Sequence, residues 1–136
     1  MDHSSPEVIA NSQALVEVMG CWPSFHDAHL LEALRTNDDL QVVVHVFEMT
    51  DEVDAAGYFV LTKHHLIRLQ LLRVITCNMP TDKEGDILDS LTAKASARGV
   101  VVAFESVIDS DRDWHAVCGE ARISEVTPCD PKGKAI

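Results

Sequence analysis

The chain changes character across the eight residues WPSFHDAH, which run from Trp22 to His29. A helix pattern precedes this segment and strand patterns follow it. Connectors are usually rich in Gly, Asn and Ser, whereas this one holds two large aromatic side chains and a proline. One interpretation is therefore a buried hinge, in which Pro23 stiffens the backbone while Trp22 and Phe25 fill the gap between helix and sheet.

The ionisable side chains of the same segment allow a second interpretation. In a hinge, His26 and Asp27 would form structural hydrogen bonds with the backbone or with each other. In a polar site, His26, Asp27 and His29 would transfer protons or bind a metal ion. A His-Asp pair is common in structural networks and has no ligand spacing of its own, so the pattern favours the hinge.

Length and composition predict a single globular domain. With 136 residues, of which 46% are hydrophobic and 24% charged, the chain is long enough for one core and too short for two. We expect one domain over residues 1–128 and a loosely held tail over residues 129–136, where Pro131 and Gly133 interrupt regular structure.

Acidic residues outnumber basic ones by 22 to 11, which gives a formal net charge of -11. Such a surface repels nucleic acids and anionic membranes and favours a basic partner. Acidity also keeps many cytosolic proteins soluble, which is the alternative explanation. Because the chain has no phosphate-binding glycine loop, nucleophile elbow or H-E-x-x-H pattern, it predicts no cofactor.

The sequence predicts a cytoplasmic protein. Its N-terminus lacks the basic and apolar regions of a signal peptide, and no apolar run approaches the roughly 20 residues of a membrane helix. The cysteines show no C-x-x-C spacing, so we expect reduced thiols rather than a zinc ribbon or a redox pair. These cysteines are Cys21, Cys77, Cys118 and Cys129.

One helix is predicted before the WPSFHDAH segment. Ser5-Pro6 provides a helix start, and Ser4 with Glu7 provides an alternative capping box. Gly20 ends the pattern. The residues of the core-facing stripe, which recur at helical spacing, are Val8, Ile9, Ser12, Leu15, Val16 and Met19.

Strand patterns occupy most of the remaining chain. We expect strands at His29 to Thr36 and at Leu40 to Glu48, the latter apolar on both faces and therefore central. The segment from Ile87 to Ala97 fits either a helix or an alternating strand, and its Ala and Lys content favours the helix. Further strands are predicted at residues 100–104, 114–118 and 121–126.

A long β-hairpin is predicted between residues 40 and 74, with Glu48 near Lys63 or His64 across the ladder. Its tip is acidic and projects from the body, which suits either a solvated turn or a surface for a basic partner. A second acidic turn lies at residues 109–113, but it lacks the glycine and the glutamate of a calcium loop. The candidate partner-binding residues are Glu48, Asp51, Glu52, Asp54, Asp109, Asp111 and Asp113.

The histidines suggest an alternative to a binding role. His45 lies on the predicted central strand, and alternation places only one of His64 and His65 on its face. If the WPSFHDAH segment folded over that face, the metal ligands would be His26, Asp27, His45 and His64. Such a site would activate water for hydrolysis. The spacing itself does not demand this convergence, so no metal is the preferred prediction.

Several segments of the chain carry a family likeness. The most specific is WPSFHDA at residues 22–28, followed by HVFEM at 45–49, HHL at 64–66, FES at 104–106 and ARISEVTP at 121–128. Between Gly20 and Pro128 the chain thus resembles the immunity protein 50 family of bacterial polymorphic toxin systems. An acidic residue commonly follows the alanine in that family, where this chain has His29, and this departure argues against a fixed chemical role for the position.

The resemblance implies a mostly antiparallel β domain, in which residues 87–97 form a strand. It also implies a non-enzymatic protein that neutralises a cognate toxin by direct contact inside the producing cell, and it carries over no catalytic residue. We therefore expect an α+β domain with an N-terminal helix packed on a predominantly antiparallel, twisted sheet of about six to eight strands. Its expected partner is a basic toxin domain. The rivals are the metal-dependent hydrolase and a homodimer that buries a sheet face or edge.

Overall fold

The fold is α+β, with one short helix and seven strands in the part of the chain that a computed structural model describes, residues 7–79, 86–108 and 113–136. The predicted fold class is confirmed. In chain order the elements are β1 (Ile9–Ala10), α1 (Ser12–Met19), β2 (His29–Thr36), β3 (Asp39–Val53), β4 (Phe59–Cys77), β5 (Asp86–Ser96), β6 (Gly99–Ser106) and β7 (Trp114–Pro128).

The strands form a sheet that closes on itself. Their order is β1-β7-β4-β3-β2-β5-β6, and β6 also pairs with β7. Every pairing is antiparallel except that of β1 with β7. Because side chains alternate between the two faces of a strand, one face of each strand lines a common apolar interior. Val42, Val44, Ile67, Leu69 and Leu71 are each no more than 1% exposed there.

The N-terminal helix is shorter than its sequence pattern predicts. The predicted start at Ser5-Pro6 and the capping box at Ser4 lie outside the described residues, but the helix begins only at Ser12. Ile9 instead pairs with Ala121 of β7 and is buried in the core, so strand pairing and burial outweigh helical spacing here. The predicted end at Gly20 is correct, since its N–H donates to the Val16 carbonyl at 2.7 Å.

Two strand predictions are corrected. The segment that propensity assigned to a helix is strand β5, which pairs along its length with β6, so the strand implied by the family resemblance is right. The two strands expected at 114–118 and 121–126 are one continuous strand, β7. Gly119 and Glu120 do not turn the chain, because Glu120 stays paired with Leu72 of β4 and Cys118 with Val74.

The C-terminal residues form a turn of defined backbone beside β4. Residues 129–136 fold back as a small hairpin in which Cys129 bridges to Ala135, and Cys129 itself is buried. Its N–H donates to the His64 carbonyl at 3.1 Å. The carboxylate of Asp130 accepts the N–H groups of Lys132 and Lys134 and so closes the turn. We refer to residues 129–136 as the C-terminal hairpin. Within the described residues no helix is long and apolar enough to cross a membrane.

Candidate partner-binding surface

The WPSFHDAH segment leads from α1 into β2 and is hydrogen-bonded to the start of β5. The Asp27 N–H donates to the Leu88 carbonyl and the Leu88 N–H to the Ala28 carbonyl, both at 2.8 Å. Phe25 is buried and meets Trp22 edge to face, with ring centroids 5.4 Å apart. Phe25 and Asp27 both have positive φ angles, a conformation that costs energy and needs such contacts to hold it. This geometry favours the hinge interpretation.

The ionisable groups of this segment face solvent. The exposed His26 lies 3.1 Å from the Asp89 carboxylate through Nδ1 and 3.6 Å from the Asp27 carboxylate through Nε2. Asp89 was not among the predicted residues. Within residues 7–79, 86–108 and 113–136, no three His, Cys, Asp or Glu side chains are grouped so that they could hold a metal ion. The alternative metal site at His26, Asp27, His45 and His64 is therefore not assembled.

A buried histidine lies on the outer face of β3. His45 Nε2 is 3.0 Å from His64 Nδ1, so one imidazole donates to the other. The rings of His29 and Phe47 pack against His45 with centroids 5.7 and 5.6 Å away. The C-terminal hairpin covers the same side, since a Cβ at Gly133 would lie only 3.3 Å from His45 Nδ1. His45 is consequently 1% exposed.

The pKa of His45 is lowered to about 4, mainly by burial and further by the neighbouring His64 and His29, while Asp130 opposes them. At neutral pH His45 is therefore uncharged in its hydrogen bond with His64. A neutral imidazole with both sides packed is a structural group that has no free face for a substrate. The paired histidines support the fold of the C-terminal hairpin.

The β3–β4 hairpin projects beyond its neighbours, as the sequence predicts. Among the described residues, β2 accompanies β3 only as far as His45, and β7 accompanies β4 only from His65. Beyond those points β3 and β4 pair only with each other. We refer to this two-stranded extension, residues 48–62, as the ribbon. All residues from 51 to 59 are exposed.

The pairing of the ribbon is irregular at its acidic residues. Met49 pairs with Leu61 and Val53 with Phe59, so three residues of β3 oppose the single residue Val60 of β4. A bulge of this kind bends the strand and re-aims its side chains. Thr50 Oγ1 stabilises it by donating to the Val60 carbonyl at 2.8 Å.

The four predicted acidic residues of the ribbon differ in their contacts. Glu48 lies 3.4 Å from Lys63 Nζ, in agreement with the predicted cross-strand pair. Asp54 accepts the N–H groups of Ala56 and Tyr58 and so shapes the turn. The carboxylates of Asp51 and Glu52 have no hydrogen bond or ion pair within the described part of the chain. These two are the carboxylates available to a partner.

Lys63 fixes the base of the ribbon on α1. Its Nζ donates to the Met19 carbonyl at 3.1 Å, at the C-terminal end of the helix, where a positive charge is favourable. The same ammonium pairs with Glu48, and the Lys63 backbone has a φ of 55°. Strain at a non-glycine residue persists where surrounding contacts hold it. Lys63 thus connects the base of the ribbon to the C-terminal end of α1.

The second predicted acidic cluster is only partly described. Asp109 and Asp111 lie outside the described residues. The Asp113 carboxylate accepts the Ser106 N–H at 2.8 Å, which connects the end of β6 to the start of β7. Asp113 therefore has a structural role where these two strand ends meet.

The ribbon also carries an exposed apolar set that was not predicted from the sequence. Its four side chains are all exposed: Val53 by 58%, Phe59 by 54%, Met49 by 46% and Leu61 by 36%. The signal was present in the alternation of β4, where Phe59 and Leu61 are two residues apart. It could not be used without the register, which pairs these residues with Val53 and Met49.

Comparisons with known proteins leave the family of this chain open. No protein family, no curated protein and no solved structure matches it.

Proposed function

We propose that this protein is a non-enzymatic binding protein of the immunity type, which neutralises a basic protein toxin by direct contact in the cytoplasm of the producing cell. The observation that carries the proposal is the ribbon, a projecting hairpin whose base contacts α1 through Lys63 and which has two free carboxylates, Asp51 and Glu52. The resemblance of the WPSFHDA segment to immunity proteins supports the same function.

The charge of the chain suits a basic partner. With a formal net charge of -11, the protein attracts cationic surfaces over about one Debye length, roughly 8 Å at physiological salt. Carboxylates at the end of a projecting ribbon meet an approaching partner first. Electrostatic attraction of this kind mainly raises the association rate, and added salt weakens it.

Reversing the two free charges tests the proposal. We expect the variant Asp51→Lys with Glu52→Lys to associate with its partner about ten times more slowly and with a flatter salt dependence, because two attractive charges become repulsive. The tagged wild type is first purified from its own cells at physiological salt. The recovered basic protein is then used to measure association rates.

The matched control reverses two acidic residues elsewhere, Glu7→Lys with Asp38→Lys. Both side chains are exposed, and Asp38 lies at the opposite end of β3 from the ribbon. The control changes the net charge equally, so a specific contact predicts a much smaller effect. If no basic protein is recovered with the wild type, the proposal fails. If both double variants slow association equally, the contact is not at the ribbon.

A further inference from the structure

The ribbon has one apolar face. Residues directly opposite each other in an antiparallel pair point to the same side, as do residues two apart on one strand. Met49 is opposite Leu61, Val53 is opposite Phe59, and Phe59 and Leu61 are two apart on β4. These four side chains, the apolar row, therefore share one face. Each is at least 36% exposed.

We infer that the apolar row is the anchor of the interface and inserts into an apolar cleft of the basic partner, with Asp51 and Glu52 at its rim. This inference rests on the proposed function and adds where the partner is held. Apolar and aromatic side chains at the centre of an interface supply most of the binding energy, whereas rim charges guide the encounter.

The arrangement of charge selects the occupant. A second copy of this chain that docked ribbon to ribbon would bring its own Asp51, Glu52 and Asp54 near those of the first, and like charges at close range repel. A nucleic acid or an anionic membrane is repelled in the same way. A protein whose apolar cleft is bordered by Lys or Arg complements both features. The acidic neighbours also discourage the exposed row from pairing with other copies.

The geometry favours an anchor of low entropic cost. The row lies on paired backbone, and Lys63 ties its base to the Met19 carbonyl. Thr50 and Asp54 hold the bulge and the turn by hydrogen bonds. A surface that is ordered before binding loses little conformational freedom when the partner docks.

Site-specific photocrosslinking tests this inference in the producing cells. The probe is p-benzoylphenylalanine, placed at Phe59 in one variant and at Ile75 in another. Both positions are exposed and apolar and lie on β4, but Ile75 is remote from the ribbon. We expect the probe at 59, and not the probe at 75, to form an adduct with the basic protein that is recovered with the wild type.

Kinetics supply the second readout. Phe59→Ser should raise the dissociation rate of that basic protein at least tenfold with little change in association, and Ile75→Ser should change neither. This pattern is the reverse of that expected for the charge variant.

Three outcomes would overturn the inference. Equal adducts from both positions, or adducts with a second copy of this chain, would show that the row is not the specific contact. A recovered basic partner that neither crosslinks at 59 nor responds to Phe59→Ser would refute the anchor and leave the proposed function standing. Recovery of no basic protein would refute both.

Discussion

His45 shows how one residue can couple stability to pH. Its pKa in the folded protein, about 4, lies below the ordinary value of 6.5, because burial and two neighbouring histidines disfavour the charged form. Between these pH values the unfolded chain binds the extra proton. Protonation of the unfolded chain therefore lowers the free energy of unfolding as the pH falls from 6.5 toward 4, whereas above pH 6.5 this loss is absent.

Between pH 7 and pH 5 we expect the free energy of unfolding to fall in the wild type by about 2 kcal/mol more than in His45→Gln. Glutamine can still hydrogen-bond to His64 but does not titrate. Urea unfolding at the two pH values measures the difference. His115→Gln, which removes an exposed histidine, is the control and should follow the wild type. Identical pH dependence in all three proteins would contradict the role of His45.

At the scale of the element, the turn between β5 and β6 depends on Gly99. Its φ is 138°, and a Cβ there would lie 2.2 Å from the backbone carbonyl oxygen of Cys118. That oxygen belongs to β7, which pairs with β6 and closes the sheet. A side chain at residue 99 would push apart the two strands that complete the closure.

Gly99→Ala should accordingly lower the free energy of unfolding by about 3 kcal/mol, since it adds both steric overlap and backbone strain. Gly57→Ala is the matched control. Gly57 also has a positive φ, but no atom lies within 4 Å of its added Cβ, so only the strain of about 1 kcal/mol remains. Thermal or urea unfolding of both variants provides the comparison. Equal losses of unfolding free energy in the two variants would show that the Cys118 backbone moves aside at no cost.

The elements also show what the sequence could predict. Strand β2 was predicted with its observed bounds, His29–Thr36. The hairpin was predicted with Glu48 near Lys63 or His64, and the structure pairs Glu48 with Lys63. Alternation and turn residues are local signals. The start of α1 was wrong because Ile9 pairs with Ala121, more than a hundred residues away, and local spacing contains no trace of that contact.

At the scale of the whole molecule, charge acts on stability and binding with opposite sign. With a formal net charge of -11, the acidic side chains repel one another in the compact state and so lower its stability. Screening by salt relieves this repulsion and at the same time weakens attraction to a cationic partner.

Raising NaCl from 10 to 200 mM should therefore raise the melting temperature by a few degrees while it lowers the association rate with the basic partner. Differential scanning calorimetry and stopped-flow mixing measure the two effects. Matched KCl solutions are the control, because screening depends on ionic strength rather than on the cation. A melting temperature that is unchanged or lower in salt would show that attractive ion pairs outweigh the net repulsion.

The candidate surface was predictable only in part. The sequence identified an acidic hairpin tip, and the tip projects as expected. It gave no means of separating Asp54, which shapes the turn, from Asp51 and Glu52, which are free. The apolar row also needed the register across the bulge, which depends on how β3 and β4 align rather than on either strand alone. The pairing of His26 with Asp89 is likewise a long-range contact.

The distribution of cysteines gives the molecule a natural attachment point. Burial raises the pKa of the Cys118 and Cys129 thiols and keeps them from reagents, and none of the four cysteines is in a disulfide. Cys21 is the most exposed of the four thiols, since Cys77 is half-buried at the end of β4, and Cys21 follows Gly20, which lies beside the Lys63 ammonium. A thiol-reactive dye would thus attach next to the base of the ribbon, so that the unaltered chain can carry its own optical reporter of docking.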